Sequence, residues 1–101
     1  MSRSIEIVEV GPRDGLQNDP VLLETSVKLD FIDRLIDAGV KRMEAASFVN
    51  PKAVPKMADS VAVMEQVHRH KGVSFIGLAL NERGMRQAIE SRCDEINYVM
   101  V

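Results

Sequence analysis

The chain has 101 residues, of which 46% are hydrophobic and 28% charged, with a formal net charge of -2. That is a globular composition with room for one modest core; it holds no basic block suited to nucleic acid and no apolar run long enough to cross a membrane. A single cysteine, Cys93, excludes an internal disulfide, and the start Met1-Ser2-Arg3-Ser4 runs so quickly into a strand pattern that no signal peptide is expected, which points to the cytoplasm.

In chain order, Ile5 to Val10 alternates as a strand does, with Ile5, Ile7 and Glu9 on one face and Val8 and Val10 on the other. It runs into G-P-R-D-G-L-Q-N, Gly11 to Asn18, read as a charged loop at the carboxyl end of that strand. A turn needs Gly, Pro, Asn or Asp but has no need of Arg, Asp and Gln together. Arg13, Asp14 and Gln17 are therefore candidates for chemistry. Thr25 is the expected N-cap of a helix whose stripe is Val27, Phe31, Ile32, Leu35 and Ile36, and Gly39 is placed to end it.

Val40 to Ser47 is a second predicted strand with Glu44 near its end, followed by F-V-N-P-K-A-V-P, whose prolines forbid further sheet. A second helix is predicted from about Lys56 to Gly72, burying Met57, Val61 and Met64. Val73 to Leu80 is apolar enough to be buried on both sides, as parallel strands are. Asn81 is the expected cap of a third helix with Met85, Ala88, Ile89 and Cys93 inward, and Glu95 to Val101 is a fourth strand. His68 and His70 form an H-x-H pair, but at the end of the second helix, on the side opposite the Arg-Asp loop. A solvated helix end explains them better than a metal does. Cys93 reads as a small apolar filler, and Met43, Met57, Met64, Met85 and Met100 read as core.

The result is β-α-β-α-β-α-β: an α/β chain of parallel (β/α) repeats with about four strands and three helices. Two architectures fit it, a small open sheet of the flavodoxin kind and the first half of a (β/α)8 barrel, whose complete form needs about 250 residues. Arg13, Asp14 and Glu44 at the carboxyl ends of successive strands favour the barrel, with residues 1–101 as the amino-terminal half of one such domain.

The segment I-V-E-V-G-P-R-D-G-L-Q-N, together with E-A-A-S-F-V-N-P-K-A-V-P-K-M-A-D from Glu44 to Asp59, resembles the 3-hydroxy-3-methylglutaryl-CoA lyases, members of the metal-dependent lyase and Claisen-condensing barrels. The resemblance implies that Asp14 is a ligand of a divalent cation, Mg²⁺ or Mn²⁺, and that Arg13 faces the thioester carbonyl of an acyl-CoA substrate. It makes Gln17 a polar contact of the same loop, Glu9 and Glu44 acids that orient these groups or move a proton, and Ser47 a structural or substrate-contacting hydroxyl. The implied reaction cleaves a 3-hydroxy-3-methylglutaryl thioester to acetyl-CoA and acetoacetate. The family's His-x-His and Asn ligands and its loop cysteine would lie beyond Val101, so the chain alone is expected to be inactive.

Departures at Ala53, where an aromatic residue is common, at Lys56, where glutamine is common, and in L-A-L-N at the end of the third strand leave a related branched 3-hydroxyacyl-CoA as an alternative substrate. The isopropylmalate and citramalate synthases usually carry D-T-x-R-D-G-x-Q instead and fit less well. Two readings from other classes remain. One is a non-catalytic half-barrel whose unpaired edge strands invite a homodimer; the other is a flavodoxin-like binding module.

Overall fold

In the computed structural model, which describes residues 4–69 and 72–99, three parallel strands form one sheet in the order β1-β2-β3. They are β1 (Arg42–Phe48), β2 (Ser74–Ala79) and β3 (Glu95–Tyr98). Three helices connect and cover them: α1 (Thr25–Asp37), α2 (Ser60–Gln66) and α3 (Glu82–Glu90). A π-helical turn at Gly11–Gly15 and a 3-10 turn at Pro55–Met57 complete the order. The fully buried side chains Met43, Phe75, Ile32, Met64 and Val63 form the core between the sheet and the helices.

The expected first strand is reduced to one parallel bridge. Glu9 lies opposite Met43; its N–H donates to Arg42 O (3.0 Å), and its carbonyl accepts from Glu44 N–H (2.9 Å). Ile5 and Ile7 remain 92% and 80% exposed. Extending the strand would order backbone without burying those side chains, and each ordered residue costs roughly 1–2 kcal/mol. The fourth predicted strand is β3, ending at Tyr98, and its expected last residues Met100 and Val101 lie outside the described residues.

Strand order separates the two architectures left open by the element pattern. Glu9 bonds the edge of β1 that faces away from β2, so the order runs first segment, β1, β2, β3 without reversal. A flavodoxin-like sheet places its first strand between the second and third. Sequential order is the barrel's.

Helix phase differs from the predicted stripes. Val27, Val61 and Ile89 face outward at 47%, 39% and 61% exposure, while Lys28 and Val63 face the core and Ala88 is buried as expected. Thr25 is the first helical residue and Glu24 holds the cap position without a side-chain bond. The Thr25 hydroxyl bonds across to Asp59 instead (2.6 Å). The second helix starts later than predicted because Pro55 opens a separate 3-10 turn and α2 begins only at Ser60. The Asn81 cap is as expected, with Gly84 N–H donating to its Oδ1 (2.8 Å), and Gly39 takes a positive φ of 102° just after α1. Gly72 also has a positive φ, 87°, but does not end the second helix as expected, because α2 already stops at Gln66 and is capped at Val67.

One ion pair crosses the whole sheet. Arg42 Nε donates to Glu95 Oε2 (2.8 Å), its second nitrogen bonds Oε1, and Ser74 Oγ donates to Oε2 (2.7 Å). The Arg42 hydrogen bond, with Ser74 second, holds the Glu95 carboxyl below the usual carboxylate range. A folded-state pKa below the unfolded one gives stability that is present above the unfolded value, about 4.3, and lost as pH falls through the folded value. Glu95→Gln should therefore flatten the acid limb of a plot of urea midpoint against pH and leave the slope above pH 5 unchanged; equal acid limbs in the two proteins would refute the assignment.

Candidate active site

The residues Gly11 to Gly15 form a wide turn because Pro12 opens it and Gly15 N–H reaches Val10 O, five residues back, at 3.1 Å. Such π turns recur where side chains must be aimed. This one aims Arg13 at β1. Arg13 Nε donates to Glu44 Oε1 (2.8 Å), and a terminal nitrogen lies 2.7 Å from the same oxygen. The Arg13 and Glu44 side chains are 17% and 10% exposed, so the pair is held largely away from water. The other terminal nitrogen lies 3.4 Å from Asp14 Oδ1, to which Asn18 Nδ2 also donates (3.1 Å). The Asp14 side chain is 52% exposed.

Glu44 is the third of seven residues in β1, not near its end as expected. It still shares a side with Ser47, because the ladder slips at Ala45. Glu44 pairs with Ile76 and Ala46 with Gly77, so Ala45 is an extra residue. Ile76 and Leu78, two apart on β2, point to one face, and their partners Glu44 and Ser47, three apart on β1, do so too. That face is the one lined by Val8, Val10, Arg42 and Asn97. Glu9, paired with Met43, turns to the opposite side. Its Oε1 lies 2.8 Å from where a Cβ on Gly11 would stand, beside Phe31. The structure therefore brings together Arg13, Asp14 and Glu44, puts Ser47 on the same side of β1 as Glu44, and turns Glu9 to the other side.

Two buried side-chain polar atoms among the described residues have no hydrogen-bond partner, Gln17 Oε1 and Ser47 Oγ. Both belong to the candidate set. Buried polar atoms are nearly always paired in folded proteins, so an orphan marks a place where something else is expected to bind. Gln17 lies in the wall of a cleft of about 370 Å³ shared with Asn18, Leu22, Ala53, Val54 and Pro55.

Ser47 is itself held by Ser60, which sequence reasoning missed. The Ser60 hydroxyl, on a residue 5% exposed, accepts from Ser47 N–H (3.0 Å) and lies 2.8 Å from both Ser47 O and Met57 O. Ser60→Ala should cost about 2 kcal/mol because it strands buried backbone groups. Urea unfolding measures this, and a loss under about 0.5 kcal/mol would show that water replaces the hydroxyl. Also missed was Lys28, 4% exposed, whose Nζ bonds Asp59 Oδ1 (2.5 Å) and Lys56 O. The available signal was a lysine on the apolar stripe one turn before Ile32.

No group of three His, Cys, Asp or Glu side chains among the described residues could hold a metal ion. Asp14 contributes one carboxylate, with Oδ1 turned to Arg13 and Asn18. His68 is 73% exposed with Nδ1 3.4 Å from Asp33, and His70 lies outside the described residues. Burial pushes the Cys93 thiol up to about 11. It therefore stays protonated at neutral pH and packs as the expected filler.

A family model described as HMGL-like matches residues 4–101. A Homo sapiens protein named "3-hydroxy-3-methylglutaryl-CoA lyase, cytoplasmic" is 43% identical over 93 residues, 92% of this chain and 25% of that protein. A Mus musculus protein named "Hydroxymethylglutaryl-CoA lyase, mitochondrial" is 40% identical over 97 residues, 96% of this chain and 30% of that protein. Among solved structures, an HMG-CoA lyase from Acenitobacter baumannii in complex with coenzyme A and 3-methylmalate superimposes with a TM-score of 0.89 at 41% identity, covering 92% of this chain and 30% of that one. The chain thus spans a quarter to a third of the length of these relatives.

Proposed function

Since the chain belongs to the HMGL-like family, we propose that the protein carrying it is a carbon-carbon lyase that cleaves 3-hydroxy-3-methylglutaryl-CoA to acetyl-CoA and acetoacetate. The observation that carries this reading is the buried Arg13–Glu44 pair beside Asp14. In the reaction the bond between C2 and C3 breaks and its electrons pass to C2 and the thioester oxygen. The C3 hydroxyl gives up its proton and becomes the ketone of acetoacetate, and the enolate takes up one proton at C2 to become acetyl-CoA, so that no proton is gained or lost overall. Arg13 binds the thioester oxygen, and its fixed guanidinium favours the charge that develops there more than the neutral ground state. Glu44 holds Arg13 to that task by taking two of its nitrogens on one oxygen. Gln17 Oε1 and Ser47 Oγ, both unpartnered, supply polar contacts to the substrate.

Lyases of this family are metal-dependent in general. Asp14 fits one hard oxygen ligand, and Mg²⁺ or Mn²⁺ takes about six. When bound, the cation would acidify the substrate hydroxyl, with its other ligands coming from outside the described residues. The cytoplasm is the proposed compartment, which the lone cysteine supports, although relatives carry both cytoplasmic and mitochondrial names.

A second substrate reading rests on Ala53. Its small side chain stands in the wall of the Gln17 cleft and leaves room for a different acyl branch. Assaying the purified full-length protein with 3-hydroxy-3-methylglutaryl-CoA and with branched 3-hydroxyacyl-CoA analogues, with and without EDTA, tests both readings. EDTA-sensitive release of acetoacetate supports the first and preferential turnover of an analogue the second. Absence of cleavage with every thioester defeats the lyase reading. Residues 1–101 by themselves are expected to show no turnover.

A further inference from the structure

Gly77 and Ala79 of β2 face Cys93 and Gly84 in the helix layer, so Ile76 and Leu78 face the other way, into the face that Glu44 shares. Polar residues on that inner face lie in two layers. The lower one, at the amino ends of the strands, is closed upon itself: Arg42 and Ser74 both bond Glu95, and another Arg42 nitrogen lies 3.6 Å from Glu6. The upper layer is not closed. Arg13 and Glu44 engage each other, but Asn97 of β3 has no hydrogen-bond partner for its side chain among the described residues. Asn97 lines the same cleft of about 310 Å³ as Glu44, Val8 and Val10.

An asparagine at this position runs against the strand. Asn is depleted in strands, and the inward positions of barrel strands are mostly branched apolar residues. The ladder partners on the same face follow that rule, since Glu95 pairs with Ile76 and Asn97 with Leu78. β3 stays bonded to β2 past this point, with Val99 N–H donating to Ala79 O (3.0 Å), so Asn97 is held in place one row nearer the carboxyl ends than Glu95. On its other side Leu78 pairs with Ser47, whose buried hydroxyl also lacks a partner. Two unpartnered polar side chains thus share one row, on either side of Leu78, on the face where Arg13 meets Glu44.

We propose that Asn97 is a specificity-determining residue that binds the acyl part of the thioester substrate, its NH₂ donating to the carboxylate at the end of the acyl chain remote from the sulfur. The proposal rests on the lyase reading. Arg13, on the β1 side of the cleft, takes the thioester oxygen. Asn97 stands two strands across from Glu44, about 10 Å between backbones, a span that suits a five-carbon diacid chain and not a two-carbon acyl group. Ser47 Oγ, in the same row, is the second donor to that carboxylate. An amide makes this contact without titrating and without a charge of its own.

The test compares the full-length protein with its Asn97→Val and Asn97→Asp variants on two thioesters. One is 3-hydroxy-3-methylglutaryl-CoA; the other, 3-hydroxy-3-methylbutyryl-CoA, keeps the hydroxyl and methyl groups but lacks the distal carboxylate. Binding is read as KM where the thioester is cleaved, and as Kd by isothermal titration with Mg²⁺ present where it is not. Asn97→Val, a residue suited to a strand, should weaken binding of the diacid thioester about tenfold to a hundredfold, the range for a hydrogen bond to a charged group. It should leave kcat within about threefold, as loss of an interaction made equally in the ground and transition states does. Binding of the butyryl thioester should change less than about twofold. Asn97→Asp should weaken the diacid thioester at least as much, because a carboxylate then faces a carboxylate. Tyr98→Phe, on the opposite face of β3, should change neither. Diacid binding within about threefold of wild type in Asn97→Val, or equal weakening of both thioesters, overturns the proposal. Asn97-dependent binding without any cleavage upholds it and defeats the lyase reading alone, whereas failure of the wild type to bind the diacid thioester overturns both.

Discussion

Replacing Arg13 with methionine in the full-length protein is expected to lower kcat by about a hundredfold to a thousandfold, the range found when a fixed donor to a developing oxyanion is removed. Lysine should not rescue it. Two Arg13 nitrogens converge on Glu44 Oε1 while a third reaches towards Asp14, and a single ammonium cannot span that fork. Glu44→Gln keeps an acceptor for Arg13 and should have a smaller effect than Arg13→Met. Arg13→Met also leaves the Glu44 carboxylate buried and unpaired, so turnover must be normalised to the folded fraction measured by circular dichroism. A normalised kcat within about threefold of wild type would remove Arg13 from the chemistry.

The largest effect on stability is expected at Lys28. Its Nζ is the one link drawn from α1 to both Lys56 O and Asp59, and the Thr25 hydroxyl takes the other Asp59 oxygen. Lys28→Met keeps the length of the stem, so packing survives and the charge is what changes. The Asp59 carboxylate, 25% exposed, is left facing an apolar group. Breaking one side of a buried pair costs about 3–5 kcal/mol; because water reaches Asp59, about 3 kcal/mol is expected from urea unfolding. The double variant Lys28→Met with Asp59→Leu should recover much of the loss. If Lys28→Met alone costs under about 1 kcal/mol, the pair is not what ties α1 to the loop before α2.

Much of this was legible in the sequence, for identifiable reasons. The (β/α) order followed from periodicity and from Gly39 and Asn81, whose roles are local and need no knowledge of the rest of the fold. Arg13 and Asp14 stood out as residues a turn does not require. The errors lie where a distant contact overrode the local pattern. Val27, Val61 and Ile89 are apolar at helical spacing, but packing against the sheet turned Lys28 and Val63 inward and left these three outside, while Ala88 is buried as expected. Ser60 has no signature at all, because its partners are backbone groups 13 and 3 residues away. Glu9 was given its role by the family resemblance alone, whereas its bridge to Met43 turns it away from Arg13 here.

The slip at Ala45 bears on how this protein can be re-engineered. Strict alternation would put Ser47 on the side away from Glu44 and bring Phe48 round in its place. Straightening the ladder with every residue kept would thus exchange a hydroxyl for a phenyl ring on that side without altering either side chain, whereas deleting Ala45 would leave Glu44 and Ser47 two apart and still on one side. Anyone transplanting E-A-A-S-F into another sheet must carry the slip with it or drop the spare alanine, since the five residues in a regular ladder would point the serine away from the glutamate.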